Sequence, residues 1–580
     1  MAYKIHPILS LLSEENEEDF RPSVFATPMG ASGRALVLDE KKTRISVRCI
    51  NRLKVEELFK EKGELEATLE MSPTEYIVLG SLPVDEVGSM ATLEEDVIYV
   101  QPSMAARRHL ETSGLSFWAL TAGQAIPGGL KGKGIVVGIV DTGIDYRHPM
   151  FLDSLGKSRI EALLVQNGQT QQEFTKAQID SAIVGGATIP ADDDLEGEGH
   201  GTHVAGIAAG SSFKGLQGIA PEATIMFVRT DFNTNSIQKA VEWIFKKAGD
   251  RPAVINLSLG SHIGPHDGTS DFDRSIDTLI GPGHIVVASA GNEGDDKIHA
   301  DTKMKSNGRF VANVQVNADH RTGDVNLQID TWIHKGDDIT VSVRTPTGQL
   351  VAGGTRMSGP GWRVRTFKGV NPINGDTNVF VQIQVPKAPQ QLLRGWSLIF
   401  EAKTVVDGSV HAWILDGRLG KFAEGATDEF LIGSPGSSRS SITVASHASK
   451  NSWDTPSGKL AADAVKIGEI SYFSSPGPTR DSRQKPEVSA PGQFIASALS
   501  SNITPEPEFL DSRPGLQLMQ GTSMSSPHVA GAVALLLEKR GKLTPTQVVD
   551  ALKAATDQPS TQSWDKRWGF GKLNLGKLLK

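Results

Sequence analysis

Four short runs of this sequence consist mainly of apolar residues. They are 134–140 (GIVVGIV), 223–229 (ATIMFVR), 253–260 (AVINLSLG) and 284–291 (HIVVASAG). A strand that is covered on both faces of a parallel sheet has this composition. Segments with helical periodicity lie between the runs, for example 236–248 (SIQKAVEWIFKKA). The alternation predicts an α/β fold, with a parallel sheet and helices on both of its faces.

A second pattern interrupts the first between residues 296 and 431. Five segments there alternate apolar with polar residues: VNLQIDTWI, ITVSVRT, VFVQIQV, WSLIFEA and SVHAWIL. A period of two, with glycine, proline and asparagine between the segments, is typical of antiparallel strands in a sandwich or barrel. The buried-strand pattern returns at 441–446 (SITVAS), and SPHVAGAVALLLEKR then predicts an apolar helix. The block is therefore predicted to be an all-β domain inserted into the α/β domain.

The amino-terminal part of the chain is predicted to contain a small separate unit. Residues 1–42 show no sustained period and are predicted to be an irregular leader. Residues 43–110 have the order strand, helix, strand, strand, helix, strand, which is typical of a small α+β fold. The α/β domain is then predicted to occupy 111–295 and 432–580, on either side of the insertion at 296–431.

Composition and the amino terminus limit the partners and the compartment. The chain has 580 residues, a net charge of −8 and a single cysteine, so it is not a general nucleic-acid binder and forms no intrachain disulfide. Its first residues lack the basic start and apolar run of a signal peptide. No stretch reaches the roughly 18 apolar residues that a membrane helix needs. We expect a cytoplasmic protein without membrane or nucleic-acid partners, and leave non-classical release open.

Three glycine-rich segments hold the residue types of an activated serine nucleophile. They are VVGIVDTGID with Asp141, GHGTHVAGIAAG with His200, and GTSMSSPHVAG with Ser523. Serine needs an adjacent base to take its proton, and a neutral histidine is suited to this. A carboxylate on the other ring nitrogen fixes the tautomer and stabilises the imidazolium. Asp141 ends a predicted buried strand and the other two open predicted helices, and strand ends of this kind are where catalytic groups gather.

Each of these residues also has a purely structural interpretation. Asp141 and Ser523 occur where aspartate and serine cap helices, and His200 can be a hydrogen-bonded structural histidine. His203 follows His200 by three residues on one predicted helix, a spacing that also suits a pair of metal ligands. No HExxH pattern and no third ligand lie nearby. We therefore predict no metal site here and expect His203 to pack beneath the site.

The three segments resemble those around the catalytic triad of subtilisin-like serine peptidases, the S8 family, in the same order Asp, His, Ser. Further similar stretches are GIAPEATI (218–225), VINLSLG (254–260), ASAGNEG (288–294), YFSSPGPTRDSRQKPEVSAPG (472–492) and WGFGKLN (568–574). One such pattern can arise by chance, but so many in the family's order is very improbable. The resemblance implies a serine endopeptidase, with Asp141 as orienting carboxylate, His200 as general base and then acid, and Ser523 as nucleophile.

The resemblance also implies an oxyanion hole and a substrate cleft. The amide of Asn292 and the backbone N–H of Ser523 would be the oxyanion donors, although Asn292 is alternatively a turn residue. The substrate would bind as an extended strand beside the enzyme's own backbone. The implied cleft residues are Ser258, Leu259 and Gly260 as one rail, Ala290, Gly291 and Glu293 at the P1 pocket, and Gly433 at its floor.

Residues 43–110 resemble the inhibitory prodomain of subtilisins, whose carboxyl-terminal tail occupies the cleft of its own enzyme. The tail here would be QPSMAARRHLETSG, and we expect a self-cleavage within Met104–Thr112, with Leu110 as the candidate position. The long segment between Asp141 and His200 and the β-rich insertion resemble the Csp group of clostridial proteases. That group carries a jelly-roll at this place, so the resemblance implies a jelly-roll or sandwich here.

The sequence therefore predicts a serine endopeptidase made as a zymogen, which acts on peptide or protein substrates. Two alternatives stay open: a catalytically silent pseudoprotease scaffold, and a peptide ligase or macrocyclase on the same fold. No cofactor is predicted. Calcium is common in the family and is left open, because Asp192, Asp193 and Asp194 form an acidic run that is otherwise a solvated loop.

Overall fold

The structure is a computed structural model. It describes residues 42–83, 86–91, 93, 96–103, 107–108, 129–168, 170–190, 199–319, 322–557 and 563–580. For Ala91, Arg107 and Arg108 it describes the backbone. The leader at 1–41, the acidic run at 192–194 and most of the predicted cleavage window lie outside the described residues.

The amino-terminal unit is a four-stranded antiparallel sheet with one longer helix. Its elements are β1 (Lys42–Cys49), α1 (Arg52–Lys62), β2 (Glu64–Ser72), β3 (Glu75–Pro83), α2 (Val87–Ala91) and β4 (Val97–Pro102), and the short strand β5 (Arg107–Arg108) follows them. The sheet order is β2-β3-β1-β4. α1 packs on the sheet because Val55 and Phe59 point into its apolar core. The predicted order of strands and helices is confirmed.

The first α/β segment alternates strands with helices, as its sequence predicts. Its elements are β6 (Val136–Asp141), β7 (Ile160–Asn167), β8 (Thr170–Thr175), α3 (Lys176–Ile183), α4 (His200–Ala209), β9 (Thr224–Arg229), α5 (Thr234–Ala248), β10 (Ala253–Leu257), β11 (Leu259–Gly260), α6 (Asp271–Leu279) and β12 (His284–Ser289). All four apolar runs of this segment contain strands of one sheet.

The insertion consists of two antiparallel sheets. Its strands are β13 (His299–Lys303), β14 (Arg309–Val316), β15 (Val325–Ile333), β16 (Asp338–Arg344), β17 (Leu350–Ala352), β18 (Arg356–Gly359), β19 (Trp362–Val370), β20 (Thr377–Val385), β21 (Trp396–Thr404), β22 (Ser409–Ile414) and β23 (Gly420–Glu424). The sheet orders are β13-β22-β15-β20-β19-β18 and β17-β16-β21-β14-β23. One apolar core joins both sheets, with Ile329 from the first and Val341 from the second. This is the all-β sandwich that the alternating pattern predicts.

The chain then returns to the α/β domain. The remaining elements are β24 (Ile442–Ala448), β25 (Ser452–Thr455), β26 (Gly458–Ala461), β27 (Val488–Gln493), β28 (Ile495–Ala498), β29 (Leu516–Met519), α7 (Thr522–Arg540), α8 (Pro545–Ala554), β30 (Thr556–Asp557), β31 (Lys572–Leu573) and α9 (Leu575–Leu578). The large sheet has the order β30-β31-β27-β24-β12-β10-β6-β9-β7-β8. Its pairs are parallel from β31 to β7, and the outer pairs at both edges are antiparallel.

Helices cover both faces of this sheet, as predicted. Val137 and Ile139 of β6 point into an apolar core that includes α4 and α7. Val136 and Val140 of the same strand point into a second core that includes α5 and α6. Successive residues of a strand alternate between faces, so each strand contributes to both cores. Because β6, β10 and β12 are parallel, their carboxyl ends lie at the same edge of the sheet.

A buried arginine ties the insertion to the α/β domain. Nη2 of Arg480 lies 2.8 Å from Oδ2 of Asp267 and 2.5 Å from Oδ2 of Asp376. Asp267 belongs to the segment between β11 and α6, whereas Asp376 precedes β20 of the insertion. The backbone N–H of Gly264 also donates to Asp330 of β15, at 2.9 Å. These bonds fix the insertion against the segment that follows β11.

Across the part of the chain that the structure describes, no helix is both long and apolar enough to cross a lipid bilayer.

Candidate active site

Asp141 and His200 form a buried hydrogen-bonded pair at the carboxyl edge of the sheet. Asp141 ends β6, and His200 is the first residue of α4. Nδ1 of His200 lies 2.7 Å from Oδ1 of Asp141, and both side chains are fully buried. The same oxygen accepts the backbone N–H of Thr142 at 2.8 Å. The carboxylate therefore holds the imidazole with Nδ1 as the donor, which leaves Nε2 as the acceptor that a general base needs.

Ser523 lies in the first turn of α7, which packs against α4. Its hydroxyl donates a hydrogen bond of 3.2 Å to the backbone oxygen of Ser258. Nε2 of His200 is buried and has no hydrogen-bond partner within the described ranges. Bonds between nucleophile and base are often longer in the free enzyme and tighten when substrate binds. The structure thus joins Asp141 to His200 and places Ser523 on the neighbouring helix, held by Ser258.

The amide oxygen of Asn292 accepts hydrogen bonds, whereas its amide nitrogen has no partner among the described residues. Oδ1 accepts the backbone N–H of Thr522 at 2.9 Å, and the Thr522 hydroxyl lies 2.9 Å from the same atom. Nδ2 is buried and has no partner among the described atoms. A buried N–H group without an acceptor is costly, so this amide is poised for an acceptor that is absent from the free protein. The turn-residue interpretation does not explain the open donor.

Thr522 is a residue of the site that the sequence analysis did not single out. Besides its contacts with Asn292, its hydroxyl accepts the backbone N–H of Gly291 at 3.2 Å. It therefore fixes both the amide and the preceding backbone of the ASAGNEG segment. Its position directly before Ser523 in GTSM was the only signal in the sequence that it belongs to the site. Its partner Asn292 lies 230 positions away in the chain.

His203 packs beneath the site, as its structural interpretation predicts. Its Nε2 lies 2.8 Å from the backbone oxygen of Ile495, so this nitrogen is the donor. Complete burial lowers the pKa of His203 to about 3 and keeps the ring neutral. Nδ1 is then the acceptor nitrogen of the ring, and no group of three metal-ligating residues in the described structure includes His203.

One group in the described part of the chain brings three residues of metal-ligating types together: His334, Asp337 and Asp407. Both carboxylates are already engaged. Asp337 accepts the backbone N–H groups of residues 406–408, and Asp407 lies 2.5 Å from the ammonium group of Lys303. An adjacent ammonium group opposes a cation, so these residues fit a turn that is fixed by hydrogen bonds. Calcium binding at the acidic run, which lies outside the described residues, is left open as in the sequence analysis.

The predicted cleft rail is already paired with a strand from the amino-terminal part. β5 lies antiparallel to β11, with Arg107 opposite Gly260 and Arg108 opposite Leu259. Added strands of this kind are how extended peptides bind at an exposed edge. The first residue of the rail is Ser258, whose carbonyl accepts the Ser523 hydroxyl. The chain segment that contains Arg107 and Arg108 therefore occupies the place predicted for substrate.

The residues predicted for the P1 pocket come together near this rail. Ala290 is buried, and its N–H bonds to Val444 at 3.0 Å. Gly291 has a φ of 113°, where a side chain is strained, and a Cβ there would meet Oε2 of Glu293 at 2.5 Å. A Cβ on Gly433 would meet the backbone oxygen of Ser261 at 2.3 Å. Both glycines are therefore required by the close approach of their neighbours.

The sheet of the amino-terminal unit packs on α5 and α6. Arg44 of β1 is buried, and its Nη1 lies 3.0 Å from Asp231 and 3.1 Å from Ser236. Lys239 of α5 reaches Glu66 of β2 at 2.7 Å. These ion pairs are mostly buried and join the amino-terminal unit to the α/β domain, beside the segment that pairs with the rail.

A parallel α/β sheet whose carboxyl edge carries this Asp–His pair, a serine in the first turn of a helix and an open asparagine amide defines the subtilisin-like class of proteins. The chain belongs to the subtilase family (Peptidase S8), whose sequence model matches residues 132–357 and 420–571.

Curated relatives agree with this assignment. The chain is 25% identical over 443 residues to the minor extracellular protease Vpr of Bacillus subtilis, covering 73% of this chain and 48% of that protein. It is 24% identical over 506 residues to the subtilisin-like protease SBT2.3 of Arabidopsis thaliana, covering 73% of this chain and 57% of that protein. The chain thus spans about half the length of these relatives.

A solved structure has a similar fold. The CspB protease of Clostridium perfringens superimposes with a TM-score of 0.65 at 24% identity, over 78% of this chain and 95% of that chain. At this identity the likeness concerns the fold. It agrees with the subtilisin-like architecture that the sequence predicts.

Proposed function

We propose that this chain is a serine endopeptidase that hydrolyses peptide bonds through an acyl-enzyme on Ser523. The bond of 2.7 Å between Asp141 and His200 carries the proposal, because it leaves His200 Nε2 as an unoccupied base. The free Nδ2 of Asn292 is a second feature that a structural role does not explain. A scaffold that had lost turnover would have no need to keep both.

The geometry supports the following sequence of steps. His200 Nε2 takes the proton of Ser523 as the hydroxyl oxygen attacks the substrate carbonyl carbon. The oxyanion accepts hydrogen bonds from Asn292 Nδ2 and from the backbone N–H of Ser523, which at a helix start has no intrahelical partner. The protonated His200 gives its proton to the leaving amine, and the acyl-enzyme remains. Water, activated by the same base, releases the second product and regenerates Ser523.

The direct test is to incubate the purified protein with a peptide library and, separately, with a fluorophosphonate probe. We expect internal peptide bonds to be cut and the probe to form an adduct at Ser523. A pseudoprotease would give neither result. A peptide ligase would also react with the probe at Ser523, but it would join peptides. The masses of the products distinguish joined peptides from hydrolysed ones.

We further propose that the chain is a zymogen whose own segment blocks the cleft. The pairing of β5 with β11 supports this, since Arg107 and Arg108 lie where substrate would lie. β5 runs antiparallel to β11 and ends with Arg108 opposite Leu259, the residue next to Ser258, whose backbone oxygen accepts the Ser523 hydroxyl. We therefore expect the cut on the carboxyl side of Arg108, in the later half of the window Met104–Thr112.

Replacing Asn292 by alanine is expected to lower kcat by about 10²–10³-fold with little change in KM, a magnitude established for this donor in a subtilisin. The reason is that Nδ2 contacts the substrate oxygen only when it becomes an oxyanion. Steady-state kinetics on one cleaved peptide would measure the effect.

The variant Asn292→Asp is the matched control. It keeps the oxygen that accepts the Thr522 N–H at 2.9 Å but replaces the donor with an acceptor. We expect it to be at least as impaired as the alanine variant. Wild-type turnover by the aspartate variant would show that Asn292 only positions Thr522.

A further inference from the structure

The first turn of α7, which carries Ser523, begins without a side-chain cap. Its N-cap residue is Gly521, which has no side chain to accept an N–H group of the turn. The position of the turn therefore depends on contacts from outside the helix. One of them comes from Asn292, whose amide oxygen holds Thr522. A second comes from Ser258, through a side chain that the sequence analysis considered only as part of the cleft rail.

The backbone oxygen of Ser523 lacks the donor that a regular helix would supply. In an α-helix, each carbonyl oxygen accepts the backbone N–H of the residue four positions later. Four positions after Ser523 is Pro527, which lies inside α7 and has no N–H. Ser523 is fully buried, and a buried carbonyl oxygen without a donor is costly. The residue that carries the nucleophile thus needs a donor from another part of the chain.

The hydroxyl of Ser258 is this donor. Its Oγ lies 2.8 Å from the backbone oxygen of Ser523. Nδ2 of Asn256 donates to the same Oγ at 2.9 Å, and Oγ of Ser526 lies 3.0 Å from it. A serine hydroxyl has one hydrogen and two acceptor positions. Because the backbone oxygen of Ser523 can only accept, the hydrogen of Ser258 points to it, and the Ser526 hydroxyl donates to Ser258.

The Ser258 hydroxyl is therefore fixed by three hydrogen bonds. Ser258, Asn256, Ser523 and Ser526 are all fully buried, so water does not compete for these bonds. Asn256 belongs to β10, which pairs with β6 on one side and with β12 on the other. The three bonds thus link the centre of the large sheet to the first turn of α7.

Ser258 and Ser523 are joined twice, in opposite directions. The Ser258 hydroxyl donates to the backbone oxygen of Ser523 at 2.8 Å, and the Ser523 hydroxyl donates to the backbone oxygen of Ser258 at 3.2 Å. The second bond has to break when Ser523 gives its proton to His200 and attacks. The first bond does not involve the reacting hydroxyl and persists. It therefore holds the backbone of Ser523 while the side chain reacts.

We propose that the side-chain hydroxyl of Ser258 positions the nucleophile for attack; this inference rests on the proposed peptidase function. By fixing the backbone of Ser523, it sets the direction of the reacting side chain and of the N–H group that is the second oxyanion donor. The three bonds of the hydroxyl use its hydrogen and both acceptor positions, which leaves none for a substrate. Ser258 thus acts through Ser523 as a positioning residue, and its side chain affects the chemical step rather than substrate binding.

The test compares Ser258→Ala with the wild-type protein on one peptide substrate and with a fluorophosphonate probe. Alanine removes the hydroxyl and keeps the backbone that would pair with substrate. We expect kcat to fall about tenfold, the upper range for one hydrogen bond, with KM within about twofold of wild type. The rate constant for labelling of Ser523 should fall by a similar factor. Titration of the active sites with the probe corrects for any protein that does not fold.

The variant Pro527→Ala separates positioning from the simple need of a buried carbonyl for a donor. Alanine at this position supplies the missing N–H, which can bond to the backbone oxygen of Ser523 along the helix. The new N–H does not link α7 to β10. We therefore expect Ser258→Ala to lower kcat several-fold in the Pro527→Ala protein as well. If that effect disappeared, the hydroxyl would serve only to satisfy the carbonyl, and the inference would be overturned.

Ser525→Ala is the matched control, because Ser525 is an equally buried serine of the same helix and its hydroxyl donates to Ala490. It should leave kcat and the labelling rate within about twofold of wild type. An unchanged kcat in Ser258→Ala, or a loss confined to KM, overturns the inference while the peptidase function stands. If the wild-type protein neither cleaves peptides nor reacts with the probe, the proposed function fails first, and the inference falls with it.

Discussion

Replacing Ser523 by alanine is expected to lower kcat for peptide hydrolysis by about 10⁶-fold, a magnitude established with a subtilisin, a member of the same family. In this structure the hydroxyl of Ser523 donates to the backbone oxygen of Ser258, and His200 Nε2 has no hydrogen-bond partner among the described residues, as a base in the free enzyme requires. The loss should appear in kcat rather than in KM, since the serine hydroxyl does not hold the substrate in the ground state.

The same variant also tests the zymogen. Intact-mass measurement should find the wild-type protein shortened by a cut beyond Arg108, and the Ser523→Ala protein at its full mass. Equal full-length masses would argue against self-cleavage, and equal shortened masses would show that another protease makes the cut.

Ser525→Ala is the matched control for this experiment. Ser525 lies in the same turn of α7, is equally buried, and donates to the backbone oxygen of Ala490 at 3.0 Å rather than to the site. It should keep activity within a few-fold of wild type. If both variants lost activity equally, the effect would come from damage to α7 and not from loss of the nucleophile.

Replacing Asp141 by alanine is expected to lower kcat by about 10⁴-fold, close to the loss known for the aspartate of a subtilisin. The variant leaves the His200 ring in a fully buried position without its carboxylate. The imidazolium that forms during attack then has no counter-charge in a water-excluded site, where charge is costly. Single-turnover kinetics would separate this effect on chemistry from any effect on product release.

Asp141→Asn separates orientation from charge. Oδ1 of Asp141 accepts both His200 Nδ1 at 2.7 Å and the N–H of Thr142 at 2.8 Å, whereas Oδ2 has no partner within the described residues. In the asparagine variant the amide oxygen can take the place of Oδ1, and the NH₂ group can take the place of Oδ2. The oxygen then still accepts from Nδ1 of His200, so the tautomer of His200 is retained. We expect a loss smaller than that of the alanine variant. If Asp141→Asn lowered kcat as much as Asp141→Ala does, the negative charge of Asp141 would matter more than its orientation of His200.

The inserted β domain packs against the segment of the α/β domain that follows β11. Residues from the insertion, Trp413 and Asp330, contact the segment that follows the rail. His262 of that segment lies 3.3 Å from Glu293, a residue predicted for the P1 pocket. The inserted domain therefore packs against a segment that reaches the predicted pocket.

The sequence by itself determined the type and order of the elements. A continuous apolar run predicts a strand that is buried on both faces, as in the parallel sheet. An alternating run predicts a strand that is buried on one face, as in the sandwich. The candidates Asp141, His200, Ser523 and Asn292 were also found from short local segments. Such segments carry the information because each residue and its flanking glycines are neighbours in the chain.

Only the tertiary structure decided which atoms meet. Asn292 is bonded to Thr522, 230 positions away, and this bond leaves Nδ2 as the open donor. His203 could be a metal ligand in sequence, but Ile495 and Gln517 take its Nε2. His262 lies 3.3 Å from Glu293, and its ring stacks on that of His266, which in turn stacks on Trp413 of the insertion. Hydrogen-bond partners are set by packing between distant segments, and no local pattern of residues encodes that packing.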